Sequence, residues 1–236
     1  MIAQKIVYAL ALFLLIACNN DDLPTPPPVS PTPIDSTALQ YLALGDSYTI
    51  GQQVEIYERF PVQLVDSLRN RGYNMRDAHL TARTGWTTRD LQTAIANENF
   101  TNTFDLVSLC IGVNNQFQGQ TAEQYRQPFR ELLEQAIALA GGDTSKVFVL
   151  SIPDYGVTPF AANMNPSQIA QEIDAFNIVN LEIADSLNVT YFDVTPISRQ
   201  AENDPTLLAN DGLHPSGRMY RMWVELMLDE VAKKVE

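Results

Sequence analysis

The sequence predicts a three-layer α/β/α sandwich built on a flavodoxin-like, parallel five-stranded sheet. Five short apolar runs (39–44, 78–82, 105–111, 147–152 and 189–194) alternate with longer segments whose apolar residues recur at helical spacing. Strands that alternate with helices pair in parallel, because each helix carries the chain back across the sheet. Each run also stops at glycine, proline or polar turn residues, which mark a strand's end. Five strands in this pattern suggest the order 2-1-3-4-5.

The first run breaks at Gly45-Asp46-Ser47 and leaves Ser47 at a strand's carboxyl end. A helix follows with Phe60, Leu64, Val65 and Leu68 on one face; Pro61 suits its start and Gly72 its end. After the second run come Arg83-Thr84-Gly85-Trp86 and a short helix over 87–96. The third run reads as a fully buried strand and leads into Gly112-Val113-Asn114-Asn115. Tyr125, Phe129, Leu132, Leu133, Ala136 and Ile137 trace the next helix, which stops at Gly141-Gly142; Pro128 either kinks it or marks its first turn. The fourth run ends at Pro153-Asp154-Tyr155-Gly156, and Pro166 opens a long helix through Ile169, Ile173, Phe176, Ile183 and Leu187. Beyond the fifth run a loop leads to Asp211-Gly212-Leu213-His214-Pro215, and the last helix carries Met219, Met222, Trp223, Leu226, Met227 and Val231.

The folded domain is expected over 38–236. Lys5 and the apolar stretch 6–17, too short to span a bilayer comfortably, read as an export signal over 1–17. The stretch ends in Leu15-Ile16-Ala17-Cys18, which resembles the lipobox of bacterial lipoproteins. That resemblance implies removal of the signal and lipidation of Cys18, so that the chain is anchored to the cell envelope and its membrane partner is reached through the lipid. The other reading is an ordinary signal peptide, or an uncleaved anchor, with an incidental cysteine. Residues 18–37 contain Pro24, Pro26, Pro27, Pro28, Pro31 and Pro33 and almost no large apolar side chains, which suits an extended tether.

A formal net charge of −13 argues against nucleic acid as a partner and against electrostatic docking on anionic lipid. Cys110 is the one cysteine in the domain, so no internal disulfide is expected in a monomer, the state anticipated here, and the thiol reads as buried and structural.

The sheet topology gives the chemistry its grouping. Ser47 follows strand one, Gly85 strand two and Asn114 strand three, while Asp211 and His214 lie beyond strand five; ligands bind at that edge in open α/β sheets. A serine needs a base within hydrogen-bond reach to act as a nucleophile. Of the two histidines, His79 sits inside a predicted strand and reads as a surface or packing residue. His214 follows Asp211 by three residues, a spacing that lets the carboxylate accept a hydrogen bond from Nδ1–H while Nε2 faces Ser47. Backbone N–H groups of Ser47 and Gly85, with the Asn114 amide, are candidate donors to an oxyanion. Taken singly, each of these residues is also an ordinary loop residue.

Together they resemble the SGNH/GDSL hydrolase family. Gly45-Asp46-Ser47-Tyr48 is similar to its first block, Gly85 to its second, Gly112-Val113-Asn114 to its third and Asp211-Gly212-Leu213-His214 to its last, in the family's order and across nearly the whole domain. The resemblance implies a flavodoxin-like fold and ester hydrolysis without a metal or other cofactor. Ser47 would be the nucleophile, His214 the base and Asp211 its partner, with Ser47, Gly85 and Asn114 as the oxyanion hole. Asp46 is read as organising its turn. One position departs: the third block commonly reads Gly-x-Asn-Asp, and here Asn115 is neutral. The α/β-hydrolase fold fits less well, since it places its serine in Gly-x-Ser-x-Gly and separates acid and histidine more widely.

Trp86, Asn115, Gln116, Phe117 and Tyr155 are candidate walls of a substrate pocket, each as readily explained by packing. The expected substrate is a small-molecule or glycan ester, with short acyl groups on carbohydrate favoured. Lysophospholipase, thioesterase or acyltransferase activity, and a non-catalytic binding lipoprotein, are the alternatives.

Overall fold

A computed structural model describes residues 37–236; the predicted signal 1–17, Cys18 and the tether through residue 36 lie outside the described residues. Strands β1 (Tyr41–Gly45), β2 (His79–Ala82), β3 (Leu106–Cys110), β4 (Val147–Leu150) and β5 (Thr190–Phe192) form one sheet in the order β2-β1-β3-β4-β5, every neighbouring pair parallel. The expected order therefore holds. Every strand except β1 lies inside its apolar run, and β1 instead extends through Gly45. Ile111 and Ile152 are buried just past β3 and β4, so apolar character follows burial beyond the last ladder hydrogen bond.

Among the described residues, eight α-helices connect and cover the sheet: α1 (Ser47–Ile50), α2 (Phe60–Asn70), α3 (Thr88–Glu98), α4 (Val113–Phe117), α5 (Ala122–Leu139), α6 (Pro166–Ser186), α7 (Thr195–Arg199) and α8 (Gly217–Ala232). Helix α2 packs on α8, and α5 packs on α3 and α6. Right-handed crossovers that reverse direction after β2 put these two groups on opposite faces of the sheet. Phe60 of α2 meets Tyr220 and Trp223 of α8, all fully buried. Tyr125 and Phe129 of α5 meet each other, and Tyr125 meets Phe176 of α6.

Local sequence sets the ends. The capping boxes Thr87–Asp90 and Thr121–Gln124 start α3 and α5, and Asn165 caps α6 ahead of Pro166. Pro128 lies inside α5 and not in its first turn. Helices α1, α4 and α7 run only four or five residues, too short to leave a period in the sequence.

Register is what positions the site. Gly45 pairs with Ala82 on one side and with Cys110 on the other, so β1, β2 and β3 end level. The residues leaving those three ends start from one line. Cys110 is buried beneath it, and burial pushes its thiol well above the ordinary range, as a structural cysteine requires.

Candidate active site

Ser47 opens α1 directly after β1. Gly45 is needed by crowding: a Cβ there would collide with Thr49 Oγ1 and the Cys110 carbonyl. Asp46 caps the turn, its Oδ1 accepting the Tyr48 N–H at 3.0 Å. Gly51 closes it at φ +67° with its N–H on the Ser47 carbonyl. The Asp46 carboxyl is wholly buried, and burial pushes its pKa up to about 7 against the opposing backbone N–H of Tyr48. Its outer oxygen, Oδ2, has no partner among the described residues. Asp46 thus organises the turn, as read from the sequence. Ser47 itself is 5% exposed.

Asp211 and His214 form a closed unit. Asp211 Oδ2 stands 2.6 Å from His214 Nδ1, and Oδ1 accepts the backbone N–H of Leu213 and of His214, each at 3.0 Å. Gly212 supplies the positive φ of +64° that the tight loop needs. Burial acts to raise the Asp211 pKa, but bonds from the His214 ring and the two N–H groups outweigh it and leave the carboxyl below its usual range. An ionised Asp211 fixes the proton of a neutral imidazole on Nδ1 and leaves Nε2 as acceptor. His214 is 7% exposed, and its ring lies edge-on to Tyr48, centroids 5.7 Å apart.

Ser47, Gly85, Asn114 and His214 line one cleft of about 140 Å³, whose wall is chiefly carbon from Val113, Phe117, Tyr155, Phe160 and Leu213. Larger depressions of about 400 and 540 Å³ elsewhere contain none of these four residues. At Gly85 the backbone takes a φ of +85°, which favours glycine, and an added Cβ would meet no protein atom within 4 Å. Asn114 Nδ2 donates to the Trp86 carbonyl at 2.9 Å, which ties the loop after β2 to α4 and leaves the amide its second N–H.

Of the predicted pocket residues, Tyr155 and Phe117 line the cleft, while Trp86, Asn115 and Gln116 do not. Trp86 is half-buried against the core and reaches the site only through its carbonyl. Asn115, 1% exposed, turns back to the start of α3: its Oδ1 accepts the Thr88 N–H at 3.1 Å, and its Nδ2 donates to Thr88 Oγ1 at 2.9 Å and Gln120 Oε1 at 3.0 Å. The departure from Gly-x-Asn-Asp is therefore accommodated behind the site by amide and hydroxyl partners. Gln116 is buried and donates to Glu172 Oε2 at 2.6 Å. Phe160 was not anticipated; its only sequence signal is an aromatic residue after Pro159 in the turn beyond β4. His79 is half-exposed, near Glu98 at 3.5 Å and edge-on to Phe100, remote from this cleft. Among the described residues no three His, Cys, Asp or Glu side chains cluster as metal ligands would.

The sequence model described as the GDSL-like lipase/acylhydrolase family matches residues 43–222. A search of curated proteins finds no match. Among solved structures, TesA aligns with a TM-score of 0.64 at 18% identity, covering 83% of this chain and 99% of that one. The lipase/acylhydrolase from Enterococcus faecalis aligns with a TM-score of 0.64 at 21% identity, covering 84% and 97%. Axe2, an acetylxylan esterase from Geobacillus stearothermophilus, aligns with a TM-score of 0.63 at 19% identity, covering 82% and 94%. At these identities the structural likeness speaks for the fold.

Proposed function

The chain belongs to the GDSL-like lipase/acylhydrolase family and is an ester hydrolase, and we propose that it is a serine esterase working through an acyl-enzyme on Ser47. The observation that carries the reading is the 2.6 Å Asp211–His214 contact at a cleft that Ser47 shares with His214. His214 Nε2 takes the Ser47 proton as Oγ attacks the ester carbonyl. Asp211 holds the ring and stabilises the imidazolium. The oxyanion lies against the N–H groups of Ser47 and Gly85 and the free N–H of the Asn114 amide, each worth about 3 kcal/mol of barrier. The alcohol leaves with the proton from His214. Water, deprotonated by His214, then releases the acid and restores the Ser47 hydroxyl.

The substrate we favour is a short acyl ester of a carbohydrate. The small cleft supports a short acyl group and speaks against a long-chain lysophospholipid or thioester. Hydrolysis of p-nitrophenyl acetate should vanish in Ser47→Ala while the circular-dichroism spectrum stays native; full activity in that variant removes the assignment. We further propose that residues 38–236 form the catalytic domain, exported on a lipid anchor at Cys18. Metabolic labelling with palmitate should mark the wild type and not Cys18→Ser, and equal labelling rejects the anchor.

A further inference from the structure

The three oxyanion donors leave three different strands, and two side-chain bonds fasten the loops that carry them into a row. One is the Asn114 Nδ2 bond to the Trp86 carbonyl, which joins the third donor to the second loop. The other joins the second loop to the first: Thr84 Oγ1 donates to Gln52 Oε1 at 2.7 Å. Gln52 in turn donates its backbone N–H to the Ser47 carbonyl at 3.0 Å. Gln52 therefore reaches from the turn that begins at Ser47 to the residue directly before Gly85.

The backbone on both sides gives this bond a task. Residues 83–86 make a β-turn closed by the Trp86 N–H on the Arg83 carbonyl at 3.3 Å. Gly85, third in that turn, takes φ +85°, and Thr84 does not share the positive φ, so the turn is type II. A type I turn differs from it by a rollover of the central peptide, and that peptide carries the Gly85 N–H. Glycine accepts either sign of φ, so the residue type alone does not keep the N–H aimed. On the other side, Gln52 stands between Gly51 at φ +67° and Gln53 at φ +66°, a value uncommon for a residue with a Cβ. The Val54 N–H closes that turn on the Gly51 carbonyl at 3.3 Å. Backbone of this kind persists where its surroundings hold it, and it gathers at working sites. The Gln52–Thr84 bond itself is exposed, so water competes for it and it adds little to folding.

We propose that Gln52 and Thr84 are positioning residues, which hold the Gly85 N–H in register with the Ser47 N–H so that both meet one oxyanion. This rests on the serine-esterase reading above. The oxyanion exists only during reaction, so a loosened tether weakens the transition state and not the bound ester.

The experiment is steady-state hydrolysis of p-nitrophenyl acetate by Gln52→Met, Thr84→Val, Thr84→Ser and the double variant Gln52→Met/Thr84→Val. Methionine keeps the reach of glutamine without its acceptor, valine keeps the shape of threonine without its donor, and serine keeps the donor. In Gln52→Met and in Thr84→Val, kcat and kcat/KM should fall together by about fivefold or more, within the roughly 10²-fold that a misplaced group costs. Urea midpoints should stay at the wild-type value. Thr84→Ser should recover most of the rate, and the double variant should lose no more than the worse single one, because both substitutions break the same bond. A loss below about fivefold in either single variant overturns the proposal. So do losses that multiply in the double variant, or a Thr84→Ser as slow as Thr84→Val; Thr84 lines the cleft, and its side chain would then act on the ester without Gln52. Urea midpoints that fall in step with kcat assign the bond to the fold and overturn the proposal too. A wild type that leaves the ester intact, or a Ser47→Ala variant that hydrolyses it, fails the esterase reading itself and is told apart by that control.

Discussion

Asp211→Asn separates the orienting role of Asp211 from its role in holding the loop. The carboxylate takes part in three bonds: two from the backbone N–H groups of Leu213 and His214 to Oδ1, and the 2.6 Å contact of Oδ2 with His214 Nδ1. In the variant the amide oxygen can occupy the Oδ1 position and keep both backbone bonds, so the loop retains its shape. The amide nitrogen then faces Nδ1 as a donor, which forces Nδ1 to accept and moves the ring proton to Nε2. Ser47 would meet an N–H instead of a base, and the imidazolium would lose its counter-charge. In the serine-protease template the corresponding change lowers kcat by about 10⁴-fold. A loss of about 10³- to 10⁴-fold, or ~4–5.5 kcal/mol of barrier, is expected here. Steady-state hydrolysis of p-nitrophenyl acetate gives kcat, and urea unfolding checks that stability moves by less than about 1 kcal/mol, the scale of one hydrogen bond. A loss below about tenfold in a folded variant would refute the tautomer argument.

Two further outcomes test the scaffold. Asp46 has a folded pKa raised from 3.8 to about 7, so its protonated form favours folding; the contribution is fully present below about pH 4 and is lost as pH rises through about 7. Asp46→Asn keeps an oxygen for the Tyr48 N–H and does not titrate, so its stability relative to wild type should improve by up to about 4 kcal/mol from pH 4 to pH 8. Urea midpoints across that range measure it, and a pH-independent difference contradicts the burial of the carboxyl. Asn115→Ala removes three hydrogen bonds, two to Thr88 at the start of α3 and one to Gln120 ahead of α5, and should lower unfolding free energy by about 1–3 kcal/mol. A change within about 0.5 kcal/mol, the range of an ordinary surface substitution, would place Asn115 outside the framework.

Much of this was legible because strand and helix periods differ and because parallel order fixes which strand ends are neighbours. Ser47, Gly85 and Asn114 were drawn together by topology alone, and the register of Gly45 with Ala82 and Cys110 levels the three strand ends they follow. Asp211 and His214 were legible because their contact is local, three residues apart in a glycine turn. The pocket wall was less so. Nothing in Asn115 or Gln116 as residue types says which way a side chain leaves a five-residue helix; the partners Thr88 and Glu172, distant in sequence, decide it. Phe160 went unseen for the same reason, since its neighbours Phe117 and Gly212 lie 43 and 52 positions away (160−117 and 212−160). At Gly85 the sequence shows a turn glycine but not the backbone conformation behind it, a φ of +85° that favours glycine.

The most direct test of the central claim is mass spectrometry after reaction with a fluorophosphonate, which bonds to an activated serine and releases fluoride. One adduct per chain on Ser47, formed in step with loss of ester turnover and strongly slowed in His214→Ala, is the expected result. Complete inactivation with the adduct on another residue, or with no adduct at all, would contradict it.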